Sequence, residues 1–123
     1  MTYNVGPDIK DNLSLLVKII KTTSPDILLI NESNWLAQKS LLLSLSVDLE
    51  LPYYCFAKSS NKSNDTTLLS KYPLKDIVIL KNFKNSGILC VAKTIDGDIS
   101  LAGVHLSPSM EDIRKSEIAE VIT

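Results

Sequence analysis

Residues 25–35 read P-D-I-L-L-I-N-E-S-N-W, and the order of residue classes along this stretch decides the fold. Pro25 fixes the entry. Ile27 to Ile30 is a short unbroken apolar run, the pattern of a strand buried on both faces in a sheet covered by helices. Polar residues take over abruptly at Asn31, so the run delivers Glu32 to the C-terminal edge of a buried strand. Open α/β sheets usually bind ligands along that edge. A carboxylate there is either a site residue or the start of an ordinary strand-to-helix loop, and the stretch by itself leaves both readings open.

Working outward toward the N-terminus, residues 2–5 read as a short first strand, broken by Gly6, Pro7 and Asp8. A helix is expected over 11–23, with Leu13, Leu16, Val17 and Ile20 on one stripe. Strand, helix, strand in that order is a βαβ unit, so the first two strands should run parallel in one sheet. On the other side a second helix is expected over 35–49, with Ser33 or Asn34 as N-cap and Pro52 as its stop. The period then changes. Residues 53–57, 66–70 and 77–83 read as strands, with a polar loop over 58–65 and a Tyr72–Pro73 turn. Residues 86–95 and 99–106 flank D-G-D, where Asp96–Gly97 is a hairpin signal.

A last helix should begin near Ser109, with Asp112 three residues on as in a capping box. Ile113, Ile118, Val121 and Ile122 would form its apolar face. The pattern is still apolar at Ile122, without a C-terminal stop signal. That fits an ordinary frayed end, or a chain that is part of something longer.

A length of 123 residues fits one domain with one core. No internal repeat or interdomain linker interrupts it. Thirteen basic and fourteen acidic side chains leave a net charge of −1, so bulk electrostatics gives no support for nucleic-acid or membrane binding. Cys55 and Cys90 lie in apolar runs, as buried thiols of a reducing compartment do, and their spacing is no zinc motif. No run approaches the roughly 20 apolar residues that span a bilayer, and the first residues lack the regions of a signal peptide. The default location is the cytoplasm.

Asn4, Glu32 and His105 each stand at the C-terminal end of an expected strand. If the three strands share a sheet, their side chains converge on one rim. An amide oxygen and a carboxylate are hard ligands suited to Mg²⁺, which is commonly completed by water and substrate phosphate. A histidine beside them can donate to a phosphoryl oxygen as charge builds there. Singly, each has a plainer explanation: Asn4 as a turn residue, Glu32 as a solvated charge, His105 as a satisfied histidine at a strand end. Trp35, Tyr53, Tyr54 and the lysines at 58, 62 and 71 read as packing or solvated residues. After the first strand the chain reads G-P-D-I-K, with no G-x-G-x-x-G and no Walker sequence, which counts against a nucleotide-binding fold.

The blocks T-Y-N-V, P-D-I-L-L-I-N-E, L-L-S-K-Y-P-L and G-V-H-L-S-P, in this order, resemble the endonuclease/exonuclease/phosphatase family, which includes deoxyribonuclease I and exonuclease III. The resemblance implies an α/β fold: a mixed sheet with flanking helices, one half of a four-layered α/β/β/α sandwich. It implies Glu32 as ligand of Mg²⁺ (or Mn²⁺), Asn4 beside it at the metal and phosphate, and His105 on the scissile phosphate. Arg114 would be the early arginine of the helix after the H-L strand. The reaction implied is hydrolysis of a phosphodiester or phosphomonoester by in-line attack of water, with the metal as Lewis acid. Family substrates range from DNA and RNA to phosphoinositides, sphingomyelin and small phosphodiesters, and selectivity lies largely in loops.

Three departures qualify this. Asn31 replaces the usual glutamine. Residues 64–67 lack the glycine common before the L-S-[RK] turn. The G-D-x-N and S-D-H blocks of the family's second half do not occur. Those blocks position and deprotonate the attacking water, and His105 is the only histidine, already matched to the phosphate. The resemblance therefore covers the family's N-terminal half, and the chain alone is expected to be a very weak hydrolase at best. Its inner sheet face is expected to lie bare, so that it pairs with a second half or with itself, or represents a truncated reading frame. The alternative to an enzyme is a non-catalytic half-domain acting as an interaction or dimerisation module.

Overall fold

The structure, a computed structural model, describes residues 1–5, 13–33, 36, 39–60, 64–80, 85–106 and 111–122. The chain order is β1 (Thr2–Asn4), α1 (Leu13–Thr23), β2 (Ile27–Asn31), α2 (Lys39–Asp48), β3 (Tyr53–Ala57) and β4 (Thr66–Ser70). Then follow β5 (Leu74–Ile79), β6 (Ser86–Thr94), β7 (Gly97–His105) and α3 (Glu111–Ile122).

Two sheets form, ordered β1-β2-β4-β3 and β5-β6-β7. β1 and β2 are parallel, with Thr2 opposite Leu29 and Asn4 opposite Asn31, as the βαβ pattern requires. The other pairings are antiparallel. Alternation along β2 explains how both of its faces are used. Leu28 and Ile30 join Leu69 under the helices, packing with Leu16 and Ile20 of α1 and Leu42 and Leu45 of α2. Ile27 and Leu29 turn the other way, toward Leu68, Ala57, Ile88, Cys90 and Leu101.

This second cluster corrects one expectation. The inner face of the first sheet is not bare, because β5, β6 and β7 of the same chain pack against it. The layers come very close at Gly103, where a Cβ would lie 2.4 Å from Leu29 Cδ1. The open apolar surface lies instead on the far face of the second sheet. Val78, Leu89 and Ala102 are register neighbours there, and Val78 is 51% exposed.

Several boundaries differ from expectation for identifiable reasons. The strand expected over 77–83 begins at Leu74. A register shift between Lys75 and Val78, with Asp76 at φ 52°, is a bulge that breaks the alternation. Residues 81–84 lie outside the described residues. α2 starts at Lys39, while Trp35 and Asn34 lie outside the described residues. It ends before Pro52 in a Schellman arrangement: Leu51 N–H donates to Ser46 O and Glu50 N–H to Val47 O, at 2.9 and 3.1 Å. Glu50 takes the left-handed position, φ 56°, usually given to glycine.

The hairpin between β6 and β7 forms with Thr94 paired to Gly97, so its turn residues are Ile95 and Asp96 rather than Asp96 and Gly97. In α3 the expected apolar face is only partly realised. Ile118 is exposed at 46% and Glu117 is buried at 1%. Ser109 and the side chains of 112, 113 and 122 lie outside the described residues.

Cys55 and Cys90 are unbridged and meet in the core between the sheets. Burial and the neighbouring Cys90 thiol push the Cys55 thiol up to about 12, which keeps it protonated and unreactive. Among the described residues no helix is long and apolar enough to cross a membrane.

Leu69 is fully buried in the helix-side core. Leu69→Ala is expected to destabilise the fold by about 2–5 kcal/mol in urea titration. Ile95→Ala, at a residue 97% exposed, should change stability by less than about 0.5 kcal/mol.

Candidate functional site

The first sheet delivers Asn4 and Glu32 to one rim because β1 and β2 are parallel and in register up to Asn4 and Asn31. The second sheet brings His105 to the same rim at the end of β7. All three residues singled out in the sequence therefore meet, although from two sheets rather than one. Asn4 Nδ2 donates to Glu32 Oε1 at 2.9 Å. His105 Nε2 stands 4.0 Å from the same oxygen, too far for a hydrogen bond and close enough for charge to matter. The Glu32 and His105 side chains are 25% and 17% exposed, so the rim is half-open to solvent.

Glu32 holds an unusual backbone. Its φ is 59°, a left-handed conformation that costs a side-chain-bearing residue about 1–2 kcal/mol. Both neighbours are clamped. Before it, Asn31 O accepts from Val5 N–H at 3.3 Å. After it, Ser33 N–H donates to Asp65 O at 3.0 Å, and the Ser33 hydroxyl lies 3.2 Å from Asp65 O and 2.8 Å from Thr67 Oγ1. Ser33 was an expected helix cap. Its N–H and hydroxyl instead tie the Glu32 turn to β4, and its carbonyl accepts from Leu36 N–H at 2.8 Å. Asp65 is itself buried, which raises its carboxyl above the usual range against the opposing pull of the Ser59 N–H; that N–H lies 2.6 Å from Asp65 Oδ1.

A polar seam runs behind the rim. Thr66 Oγ1 lies 3.2 Å from Asn31 Oδ1, Thr66 and Ser86 share a short hydroxyl contact, and Ser86 Oγ reaches Asn64 O at 2.5 Å. Asn64 Nδ2 donates to Asn85 Oδ1 at 2.7 Å, and Asn85 Nδ2 to Leu106 O at 3.2 Å. Two hydroxyls carry two protons for three contacts. All three are satisfied together when the Asn31 amide is turned with its NH₂ toward Thr66, since amide orientation is an assignment. Sequence reading gave Ser33 another role and missed Thr66 and Ser86. Their signal is long-range contact, which no local pattern carries.

His105 Nδ1 is buried and has no hydrogen-bond partner among the described residues. Arg114 is the fourth residue of α3 and half-buried. Among the described residues no three His, Cys, Asp or Glu side chains gather as a metal cluster. Glu32 and Asn4 remain the pair whose hard oxygens suit Mg²⁺ or Mn²⁺, alongside water and a substrate phosphate.

Two sheets flanked by helices, with an amide, a carboxylate and an imidazole on one rim, define a mixed α/β fold. The model of the endonuclease/exonuclease/phosphatase family matches residues 1–118, and the chain belongs to that family. Among solved structures it is similar to humanized D. rerio TDP2 carrying 14 mutations, at 13% identity and a TM-score of 0.66. That match covers 98% of this chain and 52% of the other, so this chain spans about half its length. No curated protein matches the sequence.

Glu32→Gly is expected to leave the fold at least as stable, gaining up to about 1 kcal/mol as the left-handed strain is relieved. Thermal denaturation checks this. A loss of stability would show that the Asn4–Glu32 hydrogen bond outweighs the strain.

Proposed function

We propose that this chain acts as an association half-domain of the phosphoesterase fold, presenting Asn4, Glu32 and His105 to a site that a second half completes, and is not a hydrolase by itself. The observation that carries this reading is the open apolar row Val78–Leu89–Ala102, on a sheet whose other face is already packed. A row of that kind marks a surface for association. The half-length match to the related structure supports the same reading, as does the absence of a three-residue metal cluster among the described residues.

The second reading is a Mg²⁺-dependent phosphoesterase, favoured by the meeting of Glu32 and His105 on one rim. Mg²⁺ or Mn²⁺, when bound, would supply Lewis-acid polarisation of a phosphoryl oxygen. Glu32 would hold the ion, and Asn4 would orient Glu32 through its amide hydrogen bond. His105 Nε2 would donate to a phosphoryl oxygen of the substrate. One imidazole in that role does not also deprotonate water on the opposite side of the phosphorus. Lack of a general base costs roughly 10²–10⁴-fold in rate. The cytoplasm is the proposed location, and a phosphate ester the proposed substrate of the completed site.

The test pairs hydrolysis with mass in solution. Purified chain and Glu32→Ala are compared on a generic phosphodiester and plasmid DNA, with Mg²⁺ and with chelator, and light scattering follows assembly. No Mg²⁺-dependent turnover above Glu32→Ala, with assembly weakened by Val78→Lys, is the expected outcome. Turnover by the chain alone that vanishes in Glu32→Ala overturns it.

A further inference from the structure

We infer that Thr66 and Ser86 are positioning residues that set the separation of Glu32 and His105 by tying the two sheets together behind the rim. The inference deepens the half-site reading above and rests on it for the roles of Glu32 and His105. It starts from the imidazole. A functional histidine is usually oriented by a hydrogen bond on its second ring nitrogen. Here Nδ1 is buried with no partner among the described residues, so the ring goes where its strand end is held.

That strand end is held through the seam. Ser86 is the register partner of His105 on the adjacent strand, and Asn85 donates to the carbonyl of Leu106 just beyond it. Ser86 meets Thr66 across the gap between the sheets, and Thr66 meets Asn31, the residue before Glu32. Thr66 is fully buried and Ser86 nearly so, at 0% and 2% exposure. Water therefore does not compete for these contacts. No other hydrogen bond between described side chains joins β4 to β6. The seam thus forms a continuous polar path, Glu32–Asn31–Thr66–Ser86–His105, from one sheet to the other. Buried networks of this kind are retained for the geometry they impose, because partial satisfaction is costly.

The test reads geometry at fixed pH. In the unmodified chain, Glu32→Gln removes a charge beside the imidazole and shifts the His105 ring-proton resonances in the NMR spectrum. The same substitution is then made in Thr66→Val, which keeps the shape and loses the hydroxyl, and in Thr66→Ser, which keeps the hydroxyl. The response of His105 to Glu32→Gln should fall by about half or more in Thr66→Val and return in Thr66→Ser, as expected for coupled residues. A full response in Thr66→Val overturns the inference. Should Thr66→Val fail to fold, Ser86→Ala answers the same question, with rescue by Ser86→Thr. The readout does not depend on turnover. A chain that hydrolyses phosphodiesters alone would sink the half-site reading while leaving this coupling measurable, and loss of the coupling result would leave the half-site reading in place.

Discussion

A strand covered on both faces is the constraint on which the rest of this structure depends. The four apolar residues Ile27 to Ile30 in β2 supply alternate side chains to two different cores. One set needs helices above it and the other needs a second layer below. α1 and α2 meet the first demand, and the hairpins of β5, β6 and β7 meet the second. β4 beside it shares the task, with Leu69 in the helix-side core and Leu68 in the core between the sheets. The rim chemistry follows from this arrangement, because the strand that feeds both cores is also the one that leads into Glu32.

The two layers reach the rim by different means. β1 and β2 are joined by a parallel ladder, so Asn4 and Glu32 share a register that backbone hydrogen bonds impose. His105 has no ladder connection to either of them. Its place depends on side-chain contacts across the sandwich, where geometry is softer and each hydroxyl counts. Half of the rim is thus specified by secondary structure and half by tertiary packing.

That division explains what could be read in advance. The β2 strand, the helix before it, the parallel pairing of β1 and the β6–β7 hairpin were legible because each rests on local periodicity or on a turn signal. The meeting of Asn4, Glu32 and His105 was legible because each stands at the C-terminal end of an expected strand. What escaped were features with no local signature. Asp76 bulges β5 in a stretch that reads as a turn. Ser33 looks like a helix cap until β4 lies beside it. Glu117 is buried where periodicity put Ile118. The covered inner face escaped for a similar reason, since sheet-on-sheet packing depends on where the chain turns back.

Gly103 brings a consequence for how the molecule would respond to change. A side chain at this position meets Leu29 across the gap between the layers, only two residues before His105. The atom met is the tip of a flexible side chain, so a small residue at 103 asks Leu29 to turn away rather than the backbone to move. The gap between the layers is thus an adjustable one at this point, and a short side chain there would probe how much the two sheets can resettle beside His105.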